Sequence, residues 1–75
     1  MPDHVVDLRG LKCPLPVLKA KKMMHDLPAG DRLVLECTDP MTVIDLPNYA
    51  REYGHRIEKQ EQQGNLYTFV IAKVG

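Results

Sequence analysis

The chain has 75 residues, with ten Lys and Arg balanced by ten Asp and Glu, so its formal net charge is zero and its pI is about 6.8. That length excludes a two-domain enzyme and predicts one small domain over residues 1–75 with a thin core, to which partners or a second copy could add surface. Balanced charge argues against direct binding of nucleic acid through phosphate neutralisation, which needs an excess of cations on one face.

His4 to Leu8 is a short β-rich run that stops at Gly10, and it predicts the first strand. From Pro14 the period becomes helical. Val17, Ala20, Met24 and Leu27 recur on one face, with Lys19, Lys22, His25 and Asp26 opposite, until Pro28-Ala-Gly30 ends the helix. Asp31 to Cys37 alternates, with Leu33, Leu35 and Cys37 on one side and Val34 and Glu36 on the other, which predicts a half-buried second strand. Asp39-Pro40 and Asp45-Leu-Pro47 each place a capping acid just before a proline, so a turn is expected to lead into a helix starting near Leu46. Leu46, Tyr49, Ala50 and Tyr53 share its inner face, and Gly54 closes it in the left-handed conformation. Arg56 to Gln62, polar except for Ile57, turns through Gln63-Gly-Asn65 into the apolar run Leu66 to Val74. This is a hairpin whose polar strand belongs at a sheet edge.

The order β-α-β-α-β-β, with right-handed crossovers, puts both helices on one face of a four-stranded mixed sheet. The expected fold class is therefore a two-layer α/β sandwich with one sheet face open. No apolar run is long enough to span a bilayer, the start does not read as a signal peptide, and there are two cysteines, too few for a disulfide framework. A cytoplasmic protein with free thiols and no membrane association is expected.

The chemistry concentrates in Arg9-Gly-Leu-Lys-Cys-Pro-Leu-Pro16. Pro14 and Pro16 are tolerated in a first helical turn, where the missing N–H groups have no intrahelical acceptor, so Cys13 falls at or beside the N-cap. The positive end of the helix dipole, with Lys12 adjacent and Arg9 four residues back, is expected to favour the thiolate there. The prolines are expected to hold the turn rigid so that the sulfur points outward, and Asp7 and Gly10 to shape the approach. The bland alternative makes Cys13 a small apolar filler at a helix start, and motif physics favours the reactive role about two to one. Cys37 shares a strand face with Leu33 and Leu35 and is expected to be buried and inert. No second cysteine completes a C-x-x-C pair, no Cys or His pair has zinc-site spacing, and no cofactor is expected.

Leu15 and Leu18 fall on the wet side of the helix with Lys19 and Lys22. A thiol that exchanges sulfur with another protein needs an apolar patch around it and charges at its rim, so these four residues, with Lys12, are the candidate docking surface for an acidic partner. The Lys19, Lys21 and Lys22 cluster is otherwise an ordinary hydrated helix face.

Asp7-x-Arg-Gly-Leu-x-Cys-Pro-x-Pro16, then Lys22, Gly30, Asp39-Pro40, Asp45-x-Pro47, Gly54-His55 and Phe69-x-Ile71-x-Lys73 together resemble the TusA/SirA family of small sulfur carriers, over Val6 to Lys73. The resemblance implies a sandwich like the C-terminal domain of translation initiation factor three, and a sulfurtransferase in which Cys13 carries sulfane sulfur as a persulfide. It also implies protein partners: a cysteine desulfurase or other sulfane-sulfur donor, and an acceptor sulfurtransferase protein. Known relatives serve tRNA thiolation, molybdenum-cofactor assembly or sulfur oxidation. Leu15 stands where some tRNA-thiolation members have an acidic residue, which leaves pathway and partner open, as the oligomeric state is. The alternative is a regulatory interaction module of the same fold without covalent chemistry, and the presence of Cys13 with its whole helix start favours the carrier.

Overall fold

A computed structural model describes residues 3–74, and the chain runs β1 (Asp3–Leu8), α1 (Leu15–His25), β2 (Arg32–Cys37), α2 (Thr42–Glu52), β3 (Arg56–Gln63) and β4 (Leu66–Ala72). The strands lie in the order β1-β2-β4-β3, with β1 parallel to β2 and β4 antiparallel to both its neighbours. This is the expected four-stranded mixed sheet. Among the described residues no helix is long and apolar enough to cross a membrane.

Strand alternation decides which face is covered. Leu33 lies opposite Ile71 and Leu35 opposite Phe69, and these four residues, with Leu8 and Cys37, make the floor of the core. Ala20 and Met24 of α1 and Leu46 and Ala50 of α2 close it from above, and all ten side chains are buried. Each large one contributes about 1.5–3 kcal/mol of apolar burial. The other face of the sheet is uncovered: Val5 pairs with Val34 and Val34 with Val70 in register, and Val5 is 66% exposed.

The edge strand β3 is exposed along its length except for the half-buried Ile57, and a register shift at Glu58 bends it. Its charged side chains and the bulge discourage edge-to-edge pairing with another chain. The hairpin turns on Gly64, whose φ of +58° suits glycine. The following strand stops at Ala72, two residues short of the apolar run.

The second helix departs from expectation. It begins at Thr42, not near Leu46, and Pro47 lies inside it. The earlier Asp-Pro pair carries the start: the backbone O of Asp39 accepts from Thr42 N at 3.0 Å and from Thr42 Oγ1 at 2.7 Å, and the Thr42 side chain is buried. Those bonds and the burial of Thr42, Leu46, Tyr49 and Ala50 outweigh the backbone bond that Pro47 forfeits. Tyr53 is 47% exposed, so the inner face ends one turn early. The helix then closes as expected, with Gly54 N donating to Arg51 O at 3.3 Å and His55 N to Ala50 O at 2.8 Å, the paired bonds of a Schellman motif.

The C-terminal end of α1 is held by a side chain from beyond β4. Lys73 Nζ donates to the carbonyl oxygens of Met24 at 2.8 Å, His25 at 3.4 Å and Leu27. A cation there bonds carbonyls at and just past the helix end, where backbone donors run out, and sits at the negative end of the dipole.

Candidate functional site

The loop from Arg9 to Pro14 joins β1 to α1 at one end of the sheet, and the β2–α2 loop lies beside it. Gly10, with a φ of +84°, turns the chain, and its N–H donates to Thr38 Oγ1 at 2.9 Å. Asp39 binds the two loops more tightly. Its Oδ2 accepts from Cys13 N at 2.6 Å while its Oδ1 accepts from Met41 N at 3.0 Å, so one carboxylate holds the start of both helices. The Cys13 amide bond, then the Met41 bond, hold the Asp39 carboxyl below its ordinary range, with a smaller contribution from the Lys12 charge.

Pro14 is the N-cap of α1 and Pro16 its second residue, so Cys13 stands one position before the cap, exposed. Both prolines are where first-turn chemistry allows them. Pro16 is also fully buried. It therefore belongs to the core as well as to the turn, a packing role that its position in the motif does not announce.

Across the groove between the helices, Cys13 Sγ donates to Asp45 Oδ2 at 2.7 Å. This overturns the expected thiolate. The hydrogen bond that the thiol donates to the Asp45 carboxylate raises the Cys13 pKa, partial desolvation raises it further, and the charges of Asp45 and Asp39 act in the same direction. The supporting cations are elsewhere. Arg9 makes a two-pronged pair with Asp7, Nε to Oδ1 at 2.9 Å and Nη2 to Oδ2 at 3.0 Å, with a third bond from Arg9 N to Oδ1 at 3.0 Å. These bonds, the side-chain pair first, lower the Asp7 pKa to about 2. Asp7 and Arg9 thus brace the exit of β1 and leave the sulfur to the acids of the α2 side. Lys12 and Gly10 border a hollow of about 360 Å³ that Thr38 and Asp39 also line.

Cys37 is fully buried, as expected, and burial pushes its thiol up to about 11. A groove of about 330 Å³ opens at Cys13 and is also lined by Leu18, Lys21, Asp45, Tyr49 and Tyr53. Leu15 and Leu18 are 47% and 54% exposed, on the wet side of α1 as expected, and Lys19 and Lys22 are exposed with them. Of this candidate surface the groove takes Leu18. Lys22 borders an adjoining hollow with Leu18, and Leu15 and Lys19 line neither. The cation in the groove is Lys21, whose Nζ sits 5.0 Å from the Tyr53 ring centroid.

Sequence alone does not single out Asp45 and Asp39 as site residues, and Lys21 figures there only in the lysine cluster, a hydrated helix face able to help an acidic partner dock. The two acids were visible as punctuation before prolines, and nothing local tells a capping acid from one aimed at a thiol 32 residues away. Among the described residues no three His, Cys, Asp or Glu side chains come together as a metal site.

Residues 4–73 match the family model described as Sulfurtransferase TusA, and the chain belongs to that family. The fold is similar to the crystal structure of a SirA-like protein from Desulfitobacterium hafniense, with a TM-score of 0.82 and 25% sequence identity over 95% of this chain and 97% of that one. Membership supports a sulfur-carrier or sulfurtransferase role in general terms.

Proposed function

We propose that this chain is a cytoplasmic sulfur carrier that accepts sulfane sulfur on Cys13 as a persulfide and relays it to an acceptor protein, with a cysteine desulfurase or another sulfane-sulfur source as donor. The observation that carries this reading is the contrast between the two thiols. Cys13 is exposed at the mouth of an open groove on a loop clamped by Asp39, whereas Cys37 is sealed in the core.

In the loading step the Cys13 sulfur attacks the terminal sulfur of the donor persulfide. The new Cys13 Sγ–S bond forms as the donor's S–S bond breaks, and the donor cysteine leaves as a thiolate that takes up the proton Cys13 gives up. The donor cysteine sulfur is reduced to the thiol level as Cys13 is oxidised to the persulfide level, so no external oxidant is needed. Delivery is the same exchange with Cys13 as donor. Both steps depend on the thiolate character of the attacking sulfur, on the pKa of the leaving thiol and on access to the attacked sulfur.

Intact-mass measurement after incubation with a cysteine desulfurase and cysteine, or with polysulfide, tests the reading. Wild type and Cys37→Ala are expected to gain the mass of one sulfur atom and Cys13→Ala none. Equal loading of Cys13→Ala refutes it.

A further inference from the structure

The side chain that bonds the reacting atom is an acid. Asp45 reaches Cys13 Sγ at 2.7 Å from the opposite wall of the groove, and it is fixed there because α2 starts at the Asp39 clamp that also holds the Cys13 amide. Asp39 is the other charge acting on the sulfur, with Lys12 beside Asp39 on the hollow at the loops, and the remaining charged and titratable groups of the groove are Lys21 from α1 and Glu52, Tyr49 and Tyr53 from α2. Lys21 is engaged with the Tyr53 ring, and Tyr49 is raised by burial and stays neutral. No cation among them bonds the thiol. An ionised carboxylate can bond a thiol, which donates, but not a thiolate, which has nothing to donate.

On the carrier reading, we propose that Asp45 is a specificity-determining residue that holds the empty carrier as a hydrogen-bonded thiol and confines its reaction to donors able to displace that bond. A protein donor can do so by bringing an N–H or a cation against Asp45 as it fills the groove, and this frees the Cys13 sulfur next to the incoming persulfide. A small electrophile brings no such group and reacts only through the minor thiolate fraction, and therefore more slowly. The raised pKa of the Cys13 thiol, set first by this bond, points the same way. Loading then proceeds by the exchange already described, with the Cys13 proton ending on the departing donor cysteine.

The test is the pH dependence of iodoacetamide alkylation of Cys13 in wild type and Asp45→Asn, both in a Cys37→Ala background. In Asp45→Asn the midpoint is expected to fall. Each unit of fall increases the thiolate fraction at neutral pH about tenfold, and the lower nucleophilicity of a more acidic thiol reduces the net gain to roughly threefold in rate. The ratio of loading by a cysteine desulfurase to loading by polysulfide is expected to drop in the same variant. An unchanged or higher midpoint, or an unchanged ratio, overturns the proposal. Should Asp45→Asn fail to fold, ¹³C resonances of the wild-type protein serve instead. The Asp45 carboxyl carbon is expected to shift at the same alkaline midpoint as Cys13 Cβ, and independence of the two overturns the proposal. Alkylation involves no sulfur transfer, so this result stands apart from the mass test: Cys13 can load sulfur normally while Asp45 proves irrelevant.

Discussion

Replacing Lys73 by methionine keeps most of the apolar stem and removes the ammonium that bonds the Met24, His25 and Leu27 carbonyls at the end of α1. A hydrogen bond to a charged group is worth about 1.5–3 kcal/mol, and a cation at a helix C-terminus adds about 0.3–1 kcal/mol. The three bonds share one ammonium on a half-buried side chain, and water takes over part of the lost bonding at the exposed carbonyls. The expected cost of Lys73→Met is therefore about 2 kcal/mol, well below the sum of three full bonds. For a domain of this size that lowers Tm by roughly 8–16 °C. Thermal and urea unfolding followed by circular dichroism measure it, and Lys73→Arg, which keeps a cation in place, is expected to recover part of the loss. Cys13 lies at the opposite end of α1, so its alkylation rate in the folded variant is expected to be unchanged. A loss below about 0.5 kcal/mol, the range of an ordinary surface substitution, refutes the view that this lysine holds the helix to the sheet.

Two further outcomes are expected. Cys37 stays neutral in the fold because burial raises its thiol from an ordinary 9.0 to about 11; the unfolded chain releases that proton first, so the stability it contributes is present below about pH 9 and lost as pH rises toward 11. Urea midpoints between pH 8 and pH 11 are expected to fall more steeply in wild type than in Cys37→Ala, and parallel curves count against a buried, inert thiol. Leu18→Ser combined with Lys22→Glu changes exposed residues, so stability is expected to move by no more than about 0.5 kcal/mol. Loss of an apolar anchor beside the thiol is expected to weaken protein-to-protein sulfur transfer about tenfold, as about 1.4 kcal/mol does, with polysulfide loading unaltered. Unaltered protein transfer moves the docking surface away from α1.

Much of the fold is legible because each element carries its own period. The alternation of Leu33, Leu35 and Cys37 identifies the buried strand face, and the polarity of β3 identifies an edge. The start of α2 is misjudged because two Asp-Pro signals compete within seven residues, and the choice between them rests on Asp39 bonds and Thr42 burial that belong to tertiary structure. At the site, Cys13, Pro14 and Pro16 are legible from their place between strand and helix. The ionisation of the thiol is not. The neighbours in sequence, Arg9 and Lys12, suggest a cationic setting, while the neighbours in space are Asp45 and Asp39. Arg9 was already committed to Asp7 two residues away, and a side chain with a bidentate local partner has little field left for a sulfur farther off.

The Asp39 clamp makes the sulfur site a property of the finished fold. The segment Arg9 to Ala20 contains the whole cysteine-proline motif, yet the carboxylate that orders its amide is 26 residues downstream and the one that bonds its thiol is 32 residues downstream. Excised as a peptide or grafted onto another helix, the motif would display an ordinary cysteine without a governor. A chain emerging from the ribosome passes through the same condition until β2 and α2 have docked, so the special character of Cys13 arrives together with the native sheet and departs with it. The reactivity of Cys13 is in this sense an assay of folding, and local opening of the β2–α2 loop would register first as a change in how readily that thiol reacts.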